Sequence, residues 1–426
     1  MNVPSCSRRT LRLTADEIAA DDRVTACSLL HVRKRGNAFV CAEGDSFAHV
    51  LYTGTTDLYG FGEHIAAYLS ADDQVRYLDR SATRDVPPGL TRIRSVTDAE
   101  GKEYAYAIGT AVVVHLPREE GSTACGLLTN TAVAAYRERL FAVSGRTVKF
   151  SRLLDFSGEG WQEDEAEQGR STFTLHPAGG DIVDMLPAHG KLVFLREYGI
   201  STLTAYADVY NFRLADVAYD CGAIVKGSGA SLCGDVYFFT DRGLCVFNGT
   251  SAARAEGAMD EEIDVAQAVR ISVQGNTLYA SVTKRDGTAA LYAYDPAEKC
   301  GRFLLNAFEK LSAGEGGYLM RDGMVYQLGG RAVPSGKSCA LSFTCSLTEA
   351  GDGEKRVEAV VVEGTGQFVV SLAGENGTAE ASGAANTRIG LPFSVRGELF
   401  TLTVSASDGG FRIDAVALCF RKEDRV

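Results

Sequence analysis

The sequence predicts an all-β chain, a six- or seven-bladed β-propeller followed by a small β-sandwich, and three observations carry that expectation. Short apolar hairpins return about seven times along the chain, glycine is abundant at 46 residues against 9 prolines, and no long helical stretch follows the strands. Glycine supplies the positive-φ positions of tight hairpin turns. A doubly wound α/β fold would instead need a long helix after nearly every strand.

The clearest hairpin spans residues 235–249, where Asp241-Arg242-Gly243 turns between flanks rich in aromatic and β-branched residues. Related hairpins read at 49–61, 104–116, 139–151, 191–206, 277–295 and 317–328. Their spacing of roughly 40 to 55 residues is that of propeller blades with about four strands each. A lone hairpin leaves its apolar face in water, whereas blades packed around a closed ring bury both faces, so the repeat is stable only if it closes.

Helical signal is local. Thr14-Ala15-Asp16-Glu17 reads as a capping box, and residues 260–269 carry apolar positions at helical spacing. The turn-forming stretch from Gly329 to Ser338 reads as a linker. The expected domains are therefore 1–45, a segment completing the propeller, 46–334, the propeller, and 335–426, the sandwich. Strands of the last are expected at 356–363, 366–373, 388–395, 398–405 and 411–420.

With 426 residues, 45% hydrophobic and 23% charged, the chain is an ordinary globular protein, long enough for two domains or a repeat array. A net charge of -12 argues against a surface that grips nucleic acid, which needs clustered Lys and Arg. The eleven cysteines are odd in number, form no Cys-x-x-Cys pair and sit in apolar runs such as Leu244-Cys245-Val246, as buried thiols do. Residues 1–14 hold no signal-like apolar core and no stretch of about 18 apolar residues occurs, so cytoplasmic synthesis and no membrane are expected.

Gly336-Lys337-Ser338 resembles the end of a phosphate loop, but five residues separate it from Gly330 where the motif has four, and a strand-like run follows. His31, His49, His64, His115, His176 and His189 stand singly, without ligand spacing. The acidic run Glu163-Asp164-Glu165-Ala166-Glu167 after Trp161 offers paired carboxylates for glycoside hydrolysis, and more simply a solvated loop. The turns at 98–101 and 351–354 lack the spacing of a calcium cage. No Gly-x-Ser-x-Gly elbow occurs. No catalytic, cofactor-binding or metal-binding residue is assigned, no cofactor is expected, and the chain is expected not to be an enzyme.

Tyr136-Arg137-Glu138-Arg139-Leu140-Phe141, Val148-Lys149-Phe150-Ser151 leading to Trp161, and Leu192-Val193-Phe194-Leu195-Arg196-Glu197-Tyr198-Gly199 carry a resemblance, as do Arg388-Ile389-Gly390-Leu391-Pro392 and Ile413-Asp414-Ala415-Val416-Ala417-Leu418. Across roughly residues 130–330 and 340–426 the chain resembles the propeller-forming structural proteins of tailed bacteriophages, of the packaged-DNA stabilisation and tail-hub type. The resemblance implies a structural component of a phage or prophage particle, at the head-tail junction or in the tail. It implies a virion location and other virion proteins, such as portal, connector or tail components, as partners. It also implies a homo-oligomeric ring, with DNA at most passing through its lumen. The alternative expectation is a carbohydrate-binding or glycoside-cleaving β-propeller.

Overall fold

The computed structural model describes residues 7–20, 24–30, 32–35, 38–41, 44–98, 101–109, 112–116, 123–128, 132–156, 172–205, 209–258, 262–265, 269–304, 308–330, 339–347, 354–406 and 411–423. Two compact units emerge: one of residues 46–296 and 307–329, the other of residues 1–45, 297–306 and 330–426.

The first unit is a β-propeller of seven blades. Blade 1 runs Asp57–Phe61, His64–Leu69, Gln74–Tyr77 and Thr83–Asp85, each strand antiparallel to the next. Blades 2 to 5 repeat the four-stranded meander, with innermost strands Arg92–Thr97, Ala132–Tyr136, Ile182–Ala188 and Ala230–Leu232. Blade 6 contributes Arg270–Gln274, Thr277–Lys284 and Ala289–Asp295. Blade 7 joins Lys310–Leu311, Tyr318–Arg321 and Met324–Gly330 to Gly44–Val50, so that sequence from both ends of this unit builds one sheet.

Why these strands are so uniformly apolar is visible in blade 4. Successive residues of Lys191–Arg196 point to opposite faces. Leu192 and Phe194 pack with Phe141, Val143 and Phe150 of blade 3. Val193 and Leu195 pack with Val236, Phe238 and Phe247 of blade 5. Both faces are buried, so the strand reads as a continuous apolar run where a half-exposed strand would alternate. The same division recurs between blades 1 and 2, where Tyr59, Phe61 and Val75 meet Ile93 and Ala107, and between blades 1 and 7, where Leu58 and Ile65 meet Met320 and Val325.

The ring is tied at its inner edge by the short strand Ala313–Glu315, which pairs in parallel with Ser272 and Val273 of blade 6 and with Tyr59 and Gly60 of blade 1. This seam demands glycine. A Cβ on Gly60 would stand 1.7 Å from the Glu315 carbonyl oxygen, and one on Gly314, at φ +99°, would stand 2.3 Å from that of Gly60.

Six of the seven expected hairpins are present. The seventh, at 49–61, is corrected: Gly44–Val50 pairs with Met324–Gly330, and Asp57–Phe61 forms its hairpin with His64–Leu69. The expected helix at 260–269 is also corrected. Of that stretch, residues 260–261 and 266–268 lie outside the described residues, and Ile263 and Asp264 form a short strand against Lys284 and Thr283, where tertiary pairing overrides the local helical spacing.

The second unit is a β-sandwich. One sheet orders Arg388–Arg396, Glu354–Thr365 and Arg412–Glu423, with Ser7–Thr14 and Ala38–Cys41 both pairing along the last. The other orders Gly377–Ala384, Gln367–Gly374, Leu399–Ala406, Cys339–Ser346 and Val24–Leu30. Cys339–Ser346 alternates strictly between buried and half-buried positions, and Leu341, Phe343, Val360, Val370, Leu402 and Leu418 fill the core.

Residues 1–45 therefore fall in the sandwich unit, not the propeller, up to the start of the Gly44–Val50 strand. Arg12 holds Glu363 with Nε at 2.7 Å and Nη2 at 2.6 Å, and the pairing depresses the Glu363 carboxyl and raises the guanidinium. The capping box forms as expected: Glu17 accepts from the Thr14 amide at 2.7 Å, and the Glu17 amide donates to the Thr14 hydroxyl at 3.3 Å, opening the helix Ala15–Ala20. No described helix is long and apolar enough to cross a membrane.

Replacing Gly60 with Ala is expected to force the blade 7 to blade 1 seam apart and lower the Tm by roughly 5–10 °C, as overpacking of about 1–3 kcal/mol does in a domain of this size. A thermal melt matching the parent would refute the seam as the point of closure. In the sandwich, Thr14→Ala is expected to cost about 1 kcal/mol in chemical denaturation. An unchanged unfolding midpoint would show that the cap contributes nothing.

Candidate functional site: the axial cavity of the propeller

The innermost strands of six blades enclose a cavity of about 450 Å³, within the range of small-molecule sites. Blade 2 supplies Arg92, Arg94, Ser95, Val96 and Thr97; Met185, Leu186 and Pro187 come from blade 4. Ser231 of blade 5, Ile271 and Val273 of blade 6 and Glu315 of blade 7 complete its polar and apolar walls. Among the described residues no aromatic ring lines it.

Its charge chemistry centres on Asp184, only 1% exposed although it sits inside the apolar run Ile182-Val183-Asp184-Met185-Leu186. Arg92 reaches it from blade 2, with Nη1 at 2.8 and 2.7 Å from the two carboxylate oxygens, and its Nη2 donates to the Gly227 carbonyl. The Met185 amide donates to the same carboxylate at 2.9 Å. This cross-link ties blade 2 to blade 4 and to the strand entrance of blade 5, so it crosses the interior of the ring. Burial alone would raise the Asp184 carboxyl; the charges of Arg92 and Arg94 more than offset it and hold the group below the usual carboxylate range.

Arg94, two residues along the same strand face, is differently placed. Its Nη2 lies 3.4 Å from Asp184, a long contact, and its Nε is buried with no hydrogen-bond partner. Burial first, and then repulsion from Arg92, pulls this guanidinium down to about 10. An incompletely paired cation in a cavity wall is costly unless something from solution completes it. Glu315 faces it electrostatically across the cavity while accepting the Gly62 amide at 2.8 Å.

Beside Gly62 lies a second cluster. His64 of blade 1 has Nδ1 2.8 Å from Asp79 and Nε2 3.2 Å from Glu103 of blade 2. It clamps two blades together.

Two further described histidines lie apart from this cluster. His176 caps a 3-10 turn, accepting from the Ala178 amide at 3.3 Å, and His189 meets Asp235 at 3.0 Å. Asp98 uses its carboxylate on the Lys102 amide at 2.8 Å, as a hairpin turn does. Among the described residues no three His, Cys, Asp or Glu side chains converge as metal ligands. Trp161 with its acidic run, and Gly336 to Ser338, lie outside the described residues.

No family model and no curated protein sequence matches this chain. Among solved structures it is similar to a catalytically inactive virginiamycin B lyase from Staphylococcus aureus with quinupristin, at 8% identity and TM-score 0.47, covering 67% of this chain and 99% of that one. It is also similar to Hsv2 from Kluyveromyces lactis, at 14% identity and TM-score 0.39, covering 68% and 93%. A third likeness is to exo-beta-1,3-galactanase from Phanerochaete chrysosporium with galactose, at 10% identity and TM-score 0.28, covering 96% and 100%. Identities this low bear on the fold alone. The expectation that the chain is not an enzyme is corrected: two of these three propellers are enzymes, so the fold does not exclude catalysis, and an absence of local motifs is no ground for doing so, because inner strands bring distant residues together at the axis.

Asp184→Asn is expected to destabilise the propeller by about 3–5 kcal/mol at neutral pH, since it leaves two buried guanidiniums facing a neutral amide. The folded carboxyl lies below its unfolded value, so its contribution is complete above the ordinary carboxylate range and is lost as pH falls through the depressed value. Urea unfolding of parent and variant from pH 7 downward should therefore show curves that converge in acid. A gap that stays constant with pH would mean that the carboxylate charge is not what stabilises the ring.

Proposed function

We propose that this protein is a carbohydrate-binding β-propeller whose ligand enters the axial cavity. The observation that carries this reading is the cavity's lining: hydroxyls from Ser95, Thr97 and Ser231 and charged groups from Arg94 and Glu315 alternate with the apolar surfaces of Val96, Met185, Ile271 and Val273. A sugar ring presents the same alternation of hydroxyls and C–H faces, and a cavity of this volume accommodates a mono- or disaccharide unit. Glycoside cleavage would need two carboxylates free to flank one bond; Asp184 is committed to Arg92, so binding is the part of this reading that the geometry supports.

A second reading, a structural component of a phage or prophage particle with virion proteins as neighbours, is favoured by one surface feature. The outermost strand of blade 4, Arg213–Val217, is exposed at four of its five positions, with Leu214 at 47%, and Tyr210 and Tyr198 nearby in sequence stand 80% and 64% exposed. An open edge beside large apolar side chains is suited to contact with a second copy.

A glycan array probed with the purified chain, followed by titration calorimetry of the hits, tests the first reading. Binding that is abolished by Ser231→Trp, which would fill the cavity, is the expected result, and an array without hits would remove it. Sedimentation analysis tests the second reading, which requires a ring oligomer that Leu214→Asp dissociates; a monomer at all concentrations would exclude it.

A further inference from the structure

Resting on the carbohydrate-binding reading, we propose that the ligand of the axial cavity carries a carboxylate, as a uronic acid does, and that Arg94 is the residue that reads it. Three observations converge on this. Arg92 and Asp184 satisfy one another through two short contacts, and Arg92 adds the Gly227 carbonyl, so that pair has little left to offer a ligand. Arg94 keeps a single long contact with Asp184 and a buried Nε without a partner, and it lines the cavity. Its planar guanidinium therefore retains donors in a fork geometry, which fits the two oxygens of a carboxylate better than any neutral hydroxyl.

The charge balance of the lining narrows the class further. Arg92 and Arg94 are offset in formal charge by Asp184 and Glu315. A monoanion placed on Arg94 leaves the site with one excess negative charge, whereas a dianionic phosphate ester would leave two beside Glu315. Glu315, exposed where it lines the cavity, is placed to accept hydroxyls from the rest of the ring and to repel a second acidic group. Arg94 thus selects the acid, and Glu315 limits it to one.

The test uses the full chain and four probes: D-glucuronate, D-glucose, D-glucose 6-phosphate and sodium acetate. Titration calorimetry of the parent should show glucuronate binding at least tenfold tighter than glucose and tighter than the phosphate ester, with acetate competing at high concentration. Arg94→Met should remove the glucuronate preference, weakening glucuronate at least tenfold more than it weakens glucose, and Arg94→Lys should restore part of that preference. Equal affinity for glucuronate and glucose in the parent would overturn the carboxylate assignment and leave the sugar-binding reading intact. Tighter binding of the phosphate ester, or glucuronate bound equally by parent and Arg94→Met, would also overturn it. No heat with any sugar, together with an empty glycan array, would take both readings down. If Arg94→Met does not fold, the acetate competition on the parent decides alone: glucuronate binding unaffected by acetate overturns the proposal.

Discussion

The propeller depends on a single constraint, that each blade has two apolar faces and no way to hide either except against another blade. Leu192 and Phe194 need blade 3 as much as Val193 and Leu195 need blade 5, and a row of such sheets has no stable end until the last meets the first. Hydrophobic burial is non-directional and would accept many arrangements. Direction comes from the seam, where backbone pairs with backbone at Gly60 and Gly314 and leaves no room for a side chain. Apolar packing thus supplies the drive to close, and two glycines fix where the ring meets.

Closure has a second consequence at the axis. The inner strands converge there, and their inward side chains must share a narrow space that water reaches poorly. Small residues answer part of the problem: Ala134, Ala135, Gly229 and Ala230 line the cavity without filling it, and a Cβ on Gly229 would lie 2.7 Å from Asp184. The charged residues answer another part, since the Arg92 to Asp184 pair spans the ring and replaces the water both groups lost. A buried ion pair is weak evidence for added stability in itself. What it adds here is a fixed orientation for the blade 2 strand, and through that strand a fixed orientation for Arg94.

Much of this fold was legible in the primary structure because hairpins are local. The turn at Asp241-Arg242-Gly243 and its flanks announce themselves within fifteen residues, and the six hairpins read correctly are all of that kind. Residues 49–61 misled because the apolar stretch around His49 pairs with a strand some 280 residues further on, and two neighbouring strands look like a hairpin whenever a turn separates them. The N-terminal segment failed for the same reason on a larger scale: Ser7 pairs with Lys422, a contact with no local signature. The cavity was harder still. Arg92-Ile93-Arg94 looks like the wet side of an alternating strand, yet both arginines point to the axis. The useful signal was Asp184, a carboxylate in an otherwise apolar run, which is uncommon unless a partner waits for it.

The chain's net charge of -12 and the guanidiniums at its axis describe different distances. Surface charges act on an approaching solute through salt water and fade over about 8 Å at physiological ionic strength. Arg94 acts within a few ångströms, in surroundings where its field is little screened. Net charge therefore bears on approach from a distance, while any recognition at the axis, as proposed above, is a matter of the few groups in contact. On the proposed reading, discrimination against polymers at long range and recognition of a singly charged group at contact are separate properties, and neither is visible in the net charge alone.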